Sequence, residues 1–237
     1  MSQLTAEQSD KGLDKYGRRR LFQVFAMVVI YGLCLFVPAG SLQWWNAWVY
    51  LGLFLLSILT AGLYVARTHP AIINERGRPS ESTKPFDKKF ARIYMPLGLA
   101  ALVLAGLDFR FGWSEVPLWL MMVGYIGILP GMFMPYWVMY VNAYAATTVR
   151  VETDRGHQVI TDGPYRYVHH PMYSTALLSQ LFFPLAMGTL SVYVLVPFLM
   201  GIMIWRTANE DLTLREELPG YIDYAQNTRF RLMPGVW

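Results

Sequence analysis

Between positions 163 and 174 the chain reads GPYRYVHHPMYS, which sets Tyr165, Arg166, Tyr167, His169, His170 and Tyr173 at the start of a long apolar run. Such groups are costly in hydrocarbon, so at the mouth of an apolar helix they mark an interface with chemistry to do. Asp162-Gly163-Pro164 signals a turn. Pro171 suits the first turn of the helix that follows, where its missing N–H costs little. His169 and His170 then fall at or just before the helix cap, beside backbone N–H groups suited to a carboxylate or phosphate. A second pair, Arg206 and Glu210, is spaced four apart and shares one helix face.

Each feature also has a plain structural explanation. Tyrosines and histidines anchor helices at headgroup level, and an exposed Arg–Glu pair contributes only a few tenths of a kcal/mol. Glu216 and Glu217 read as a solvated face. A metal site is not expected. His69, His157, His169 and His170 make no HxxxH spacing, neighbouring histidines point apart on regular backbone, and Cys34 is the only cysteine. Nucleic acid is not expected either, because the surplus positive charge lies between apolar runs rather than in one basic patch.

The elements that must position these groups are membrane helices. Hydrophobic residues make up 54% of the 237 positions and charged ones 15%, against roughly 25% in ordinary globular domains. The first twenty residues are polar and lack a cleavable signal pattern. Apolar stretches at 21–39, 44–66, 93–107 with flanks, and 116–145 each approach the roughly 20 residues a spanning helix needs. Pro130 and Pro135 predict a kink or an extension beyond the bilayer in the fourth. The block 171–205 is too long for one span. MGTLS at 187–191 offers a turn, giving two antiparallel helices, with a single long helix as the alternative. The expected fold is an all-α, polytopic membrane bundle of five to six spans.

Charge sets the orientation. Five Lys and Arg precede the first helix, seven lie in 67–92, three in 146–170 and four from Arg206 onward, which leaves only Arg110 on the other side. Six crossings, or a re-entrant final hairpin, bring every basic segment to one face, and the positive-inside bias makes that face and both termini cytoplasmic. Loop 67–92 reads first as an anchor to anionic headgroups. In the tail, Leu214, Leu218, Tyr221, Ile222 and Ala225 form a partial apolar stripe broken at Pro219-Gly220, predicting a helix, a break and a second short helix packed back on the body.

Together, Gly163, Tyr165, His169-His170-Pro171-Met172-Tyr173, Arg206, Glu210-Asp211 and Gly220-Tyr221 with Tyr224 resemble the isoprenylcysteine carboxyl methyltransferase and phospholipid methyltransferase superfamily, in its bacterial form. The likeness covers the last 90 or so residues; the first four helices match it mainly in hydropathy. It implies S-adenosylmethionine as methyl donor, bound without a Rossmann domain. It also implies a cytoplasmic tail (1–20), spanning helices with their basic loop (21–145) and a methyltransferase core (146–237) containing the hairpin 171–205. Carried over by position, the donor pocket uses His157, Gln158, Val159, Ile160, Tyr165, His170, Pro171, Met172, Tyr173 and Glu210. Arg206 would face the methyl acceptor. His169 stands where Arg is common, and Asp211 replaces a second Glu. In such a pocket tyrosine faces suit the sulfonium, Glu210 can accept from an amino group, and amides near His170-Pro171 can hold a carboxylate. His169 or Glu210 would take a proton from an amine or thiol acceptor.

The resemblance implies membrane lipids and a lipophilic or small acceptor as partners, in the bacterial inner membrane. Carboxyl O-methylation leads, with phospholipid N-methylation and small-thiol S-methylation as alternatives. A transporter or scaffold is more remote, since the spans are nearly free of charge and no repeat is visible.

Overall fold

The computed structural model describes residues 12–79, 83–145, 147–149 and 156–237. The expectations for residues 1–11 and for Arg150 and Arg155 lie outside this set. Among the described residues the chain is helical, with no strand. Helix α1 (Lys15–Ala39) starts where Asp14 caps the Tyr16 and Gly17 amides at 2.8 and 2.9 Å, so the end of the expected tail is already helix. Next come α2 (Trp45–Ser57) and α3 (Leu63–Thr68), joined through a π-turn at Ile58–Gly62 into one long rod. Expected as a loop, 67–92 instead holds α4 (Pro70–Gly77) and the start of α5 (Pro85–Phe111). Pro70 and Pro85 both sit in first turns, where proline favours a helix start.

Helix α6 (Leu118–Val141) runs through Pro130 and Pro135 and stops at Val141, short of the expected 145. Helix α7 (Pro171–Met187) ends at Gly188, whose φ of 72° supplies a left-handed cap. A 3₁₀ turn (Leu190–Val194) then leads into α8 (Val196–Glu217). The block 171–205 is therefore a hairpin, and the single long helix is excluded. Leu218, Pro219 and Gly220 break the chain before α9 (Tyr221–Asn227), as the proline-glycine pair predicts. Along the stripe, Leu218, Tyr221, Tyr224 and Ala225 form the buried cluster and Ile222 is exposed, so Tyr224 takes the place expected for Ile222.

Among the described residues four rods are long and apolar enough to cross a membrane: Lys15–Ala39, Trp45–Thr68, Pro85–Phe111 and Leu118–Val141. On α1, Phe22, Val29, Leu33 and Val37 stay exposed, an apolar face suited to lipid. Helices α6 and α7 pack with almost no space between them. A Cβ on Gly124 would stand 2.2 Å from the Ala186 amide, and one on Gly131 would meet Thr175 O at 2.9 Å. Close small-residue contact is how membrane helices gain packing energy without a hydrophobic drive. Here it fixes the start of α7, and with it His169 to Tyr173, against the end of α6.

Candidate active site

The start of α7, the last turns of α8 and the tail enclose one cavity near the ends of α5 and α6. His157, Gln158, Val159, Ile160, Tyr165, His169, His170, Pro171, Met172, Tyr173, Arg206 and Glu210 all line it. Every residue expected in the donor pocket, and every one expected to act on the acceptor, is thus on one wall or another. Arg166 and Tyr167, quoted with them, are exposed, and Arg166 pairs with Asp162 at 2.9 Å outside the cavity.

The tail is stitched to the α7 entrance by backbone and side chains. Phe230 and Arg231 carbonyls accept from the His169 and His170 amides, each at 2.9 Å. Ser174 Oγ reaches Leu232 O at 2.6 Å. These bonds correct one expectation: the amides of His169 and His170 are already taken. Pro171 has none, Tyr173 and Ser174 turn back to His170 O, and Met172 is left as the amide of this first turn to offer a ligand.

Behind the wall lies Asp211, fully buried. Its Oδ1 accepts from His169 Nδ1 and Tyr221 Oη, both at 2.9 Å, and its Oδ2 from Arg215 and Arg231 Nε at 2.8 and 2.9 Å. Burial alone would raise its pKa, but hydrogen bonds from His169, Arg215 and Arg231, with the His170 ring nearby, outweigh that and hold the carboxyl far below its usual range. Tyr221 moves the other way. Burial, then the Asp211 charge, keeps its phenol protonated well above the ordinary tyrosine range.

His169 is fixed on both sides, since Nε2 also contacts the Thr228 carbonyl. A carboxylate and a carbonyl only accept, so both ring nitrogens must donate and no lone pair remains. The proton-acceptor role expected for His169 is corrected on this geometry: it ties α7 to α8 and the tail. Contrary to the expectation that neighbouring histidines diverge, His170 also approaches Asp211, with Nε2 3.7 Å from Oδ1. His169, His170 and Asp211 cluster closely enough to suggest a metal. The surroundings oppose it, because both Asp211 oxygens are engaged and two arginines already supply the positive charge.

Buried His170 Nε2 has no hydrogen-bond partner among the described residues. Its ring stacks on Tyr173 at 5.6 Å and 7°. Tyr173 Oη donates to Glu210 Oε2 at 2.7 Å, and Arg206 lies 4.7 Å over the Tyr173 ring and 4.6 Å over Phe90. Tyr173 is thus engaged by the protein's own cation, and Tyr144, Tyr165, Tyr221 and Tyr224 also line the cavity. Asn142 donates to the Tyr165 hydroxyl at 2.7 Å, and burial first, with the Glu210 charge adding, pushes that phenol up to about 12.

Arg206 pairs not with Glu210 but with Asp87 in α5, Nε to Oδ1 at 2.6 Å, both groups buried. Arg76 donates to Ala145 O at 2.6 Å, and Lys84 pairs with Glu217, which is therefore not merely solvated. The 67–92 segment braces wall residues from behind, through Arg76 on Ala145 and Asp87 on Arg206, beyond its expected anchoring role. Asp87, Asn142, Asp211 as a hub, and Arg231 were missed. A lone acid in KPFDKKFAR, three positions after the helix cap, was the available signal for Asp87.

Residues 122–216 match the model of the isoprenylcysteine carboxyl methyltransferase (ICMT) family, which supports the family assignment reached from the motifs. This is a methyltransferase family of membrane proteins. The matched stretch runs from α6 to the end of α8: it includes most of the fourth span, beyond the likeness read from sequence, and stops before the tail motif Gly220-Tyr221. No curated protein matches the chain.

Proposed function

We propose that this protein is an S-adenosylmethionine-dependent methyltransferase of the membrane interface, acting on a lipophilic or small acceptor and most like a carboxyl O-methyltransferase. The observation that carries the proposal is the cavity itself, which gathers residues 157–160, 165, 170–173, 206 and 210 from segments far apart in sequence. The group fits the residues present. Among the described residues His170 Nε2 is buried without a partner on the cavity wall and the Met172 amide is unbonded, and Glu210 adds a carboxylate, as a zwitterionic amino-acid moiety requires. S-adenosylmethionine supplies an electrophilic methyl group on a sulfonium sulfur.

The protein's own contribution is alignment. Tyr165 is held by Asn142 and by Tyr224, which donates to its carbonyl at 2.7 Å. Leu214, Leu218 and Tyr221 seal the side next to the tail. With donor and acceptor bound, Tyr165, Tyr173 and Glu210 would hold the methyl group in line with the acceptor for a displacement whose leaving group is a neutral thioether. Holding the two reactants in line is the largest effect available. A carboxylate acceptor needs no base, and the Arg206 guanidinium favours it over an amine. Were the acceptor a thiol or amine, Glu210 would take the proton, since His169 has no free lone pair.

The basic residues of α1, α4, the start of α5 and the tail lie at the cavity end, and Arg110 lies at the other. Under the positive-inside rule the cavity faces the cytoplasm with both termini. Helices α7 and α8 add the fifth and sixth crossings, or a re-entrant hairpin, to the four apolar rods. Incubating the purified chain with methyl-labelled donor and a panel of prenylcysteine, aminophospholipid and thiol acceptors tests the reading. Label transfer to the prenylcysteine carboxyl is expected; no transfer to any acceptor would overturn it.

A further inference from the structure

The geometry points to Asp87 as a positioning residue that fixes Arg206 for an anionic acceptor, an inference that rests on the function proposed above. Asp87 stands at the third position of α5, where the helix N-terminus favours a negative charge. Its two oxygens have separate work. Oδ1 accepts from Arg206 Nε at 2.6 Å, and Oδ2 accepts from the Val149 amide at 2.9 Å. Lys84 N in turn reaches Val149 O at 3.3 Å, so the start of α5 grips the segment 147–149 on both sides. Arg206 NH2 makes a long contact, 3.5 Å, to the Thr147 carbonyl on that segment. The guanidinium also lies over Phe90 and Tyr173 at 4.6 and 4.7 Å. Among the described residues two aromatic rings, one carboxylate and the Thr147 carbonyl hold it in place, and Arg206 lines the cavity. A guanidinium held this way recognises a planar carboxylate with little ordering left to do.

Asparagine at 87 has one accepting oxygen and cannot serve both Arg206 Nε and the Val149 amide. Glutamate keeps both acceptors. The test measures kcat and KM for N-acetyl-S-farnesylcysteine, and donor affinity by calorimetry, in the wild-type chain, Asp87→Asn, Asp87→Glu, Arg206→Lys and the Asp87→Asn/Arg206→Lys double variant. Expected for Asp87→Asn is an acceptor KM raised about tenfold, donor affinity within about threefold of wild type, and partial recovery in Asp87→Glu. The double variant should be no worse than Arg206→Lys alone, since Asp87 acts through that side chain. If Asp87→Asn does not fold, Asp87→Glu replaces it in the cycle. Unchanged acceptor KM, additive losses in the double variant, or donor affinity falling in step with kcat would overturn the inference while leaving the methyltransferase standing. A wild-type chain that methylates no acceptor would overturn the underlying function, and this inference with it.

Discussion

Asp211 and Asp108, the two most deeply buried aspartates among the described residues, lie at opposite ends of the bundle and are used differently. At the cavity end Asp211 takes hydrogen bonds from one histidine, one tyrosine and two arginines. At the other end Asp108 in α5 accepts from Ser114 Oγ at 2.7 Å and the Ser191 amide at 3.0 Å, and its Oδ1 has no partner among the described residues. Neutral donors suffice to pin the turn between α7 and α8. Charged donors, drawn from three separate segments, are what hold a tail over a cavity. The difference separates a fastening from a wall that must keep its shape around a polar ligand.

The largest expected effect is at the hub. Asp211→Ala leaves two arginines and His169 without their buried carboxylate, and should cost about 3–5 kcal/mol, read as a fall in thermal midpoint and loss of donor binding. A loss no greater than that of Asp108→Asn would break the comparison. His170→Ala should weaken S-adenosylmethionine binding at least about tenfold, or about 1.4 kcal/mol, with a smaller change in midpoint; wild-type affinity by calorimetry would remove His170 from the pocket.

The pH profile sharpens the contrast. Asp211 has a lowered folded pKa, so its stabilisation is complete above the unfolded value of about 4 and is lost only as pH falls toward the much lower folded value. Tyr165 has a raised one, so its contribution is intact below about pH 10 and disappears as pH rises through about 12. Unfolding followed by tryptophan fluorescence should show stability declining between pH 10 and 12, and Tyr165→Phe should flatten that decline. The smallest effect belongs to Asp108→Asn. It should cost about 1 kcal/mol of stability and leave donor affinity as in wild type; a drop in affinity would mean that the far end shapes the cavity.

What could be read in the chain and what could not divide along sequence distance. The start of α7, the break at Pro219-Gly220 and the hairpin at Gly188 depend on local chemistry, and each was legible. So were the cavity residues of 157–173 and 206–210, which stand in a short family pattern. The Arg206–Asp87 pair spans 119 positions and His169–Asp211 spans 42, and no local pattern encodes either. His169 was misassigned for the same reason: its second partner, the Thr228 carbonyl, belongs to the tail. Hydropathy reported where 67–92 lies relative to lipid but not that it folds into α4 and the head of α5.

Everything proposed for the chemistry requires one donor molecule to touch both α7 and α8. Titrating S-adenosylmethionine into the purified chain and into Glu210→Gln, with heat as the readout, tests this directly. One saturable site in the wild type and at least about tenfold weaker binding in the variant is the predicted result. No binding by the wild type, or equal affinity in both, would contradict it.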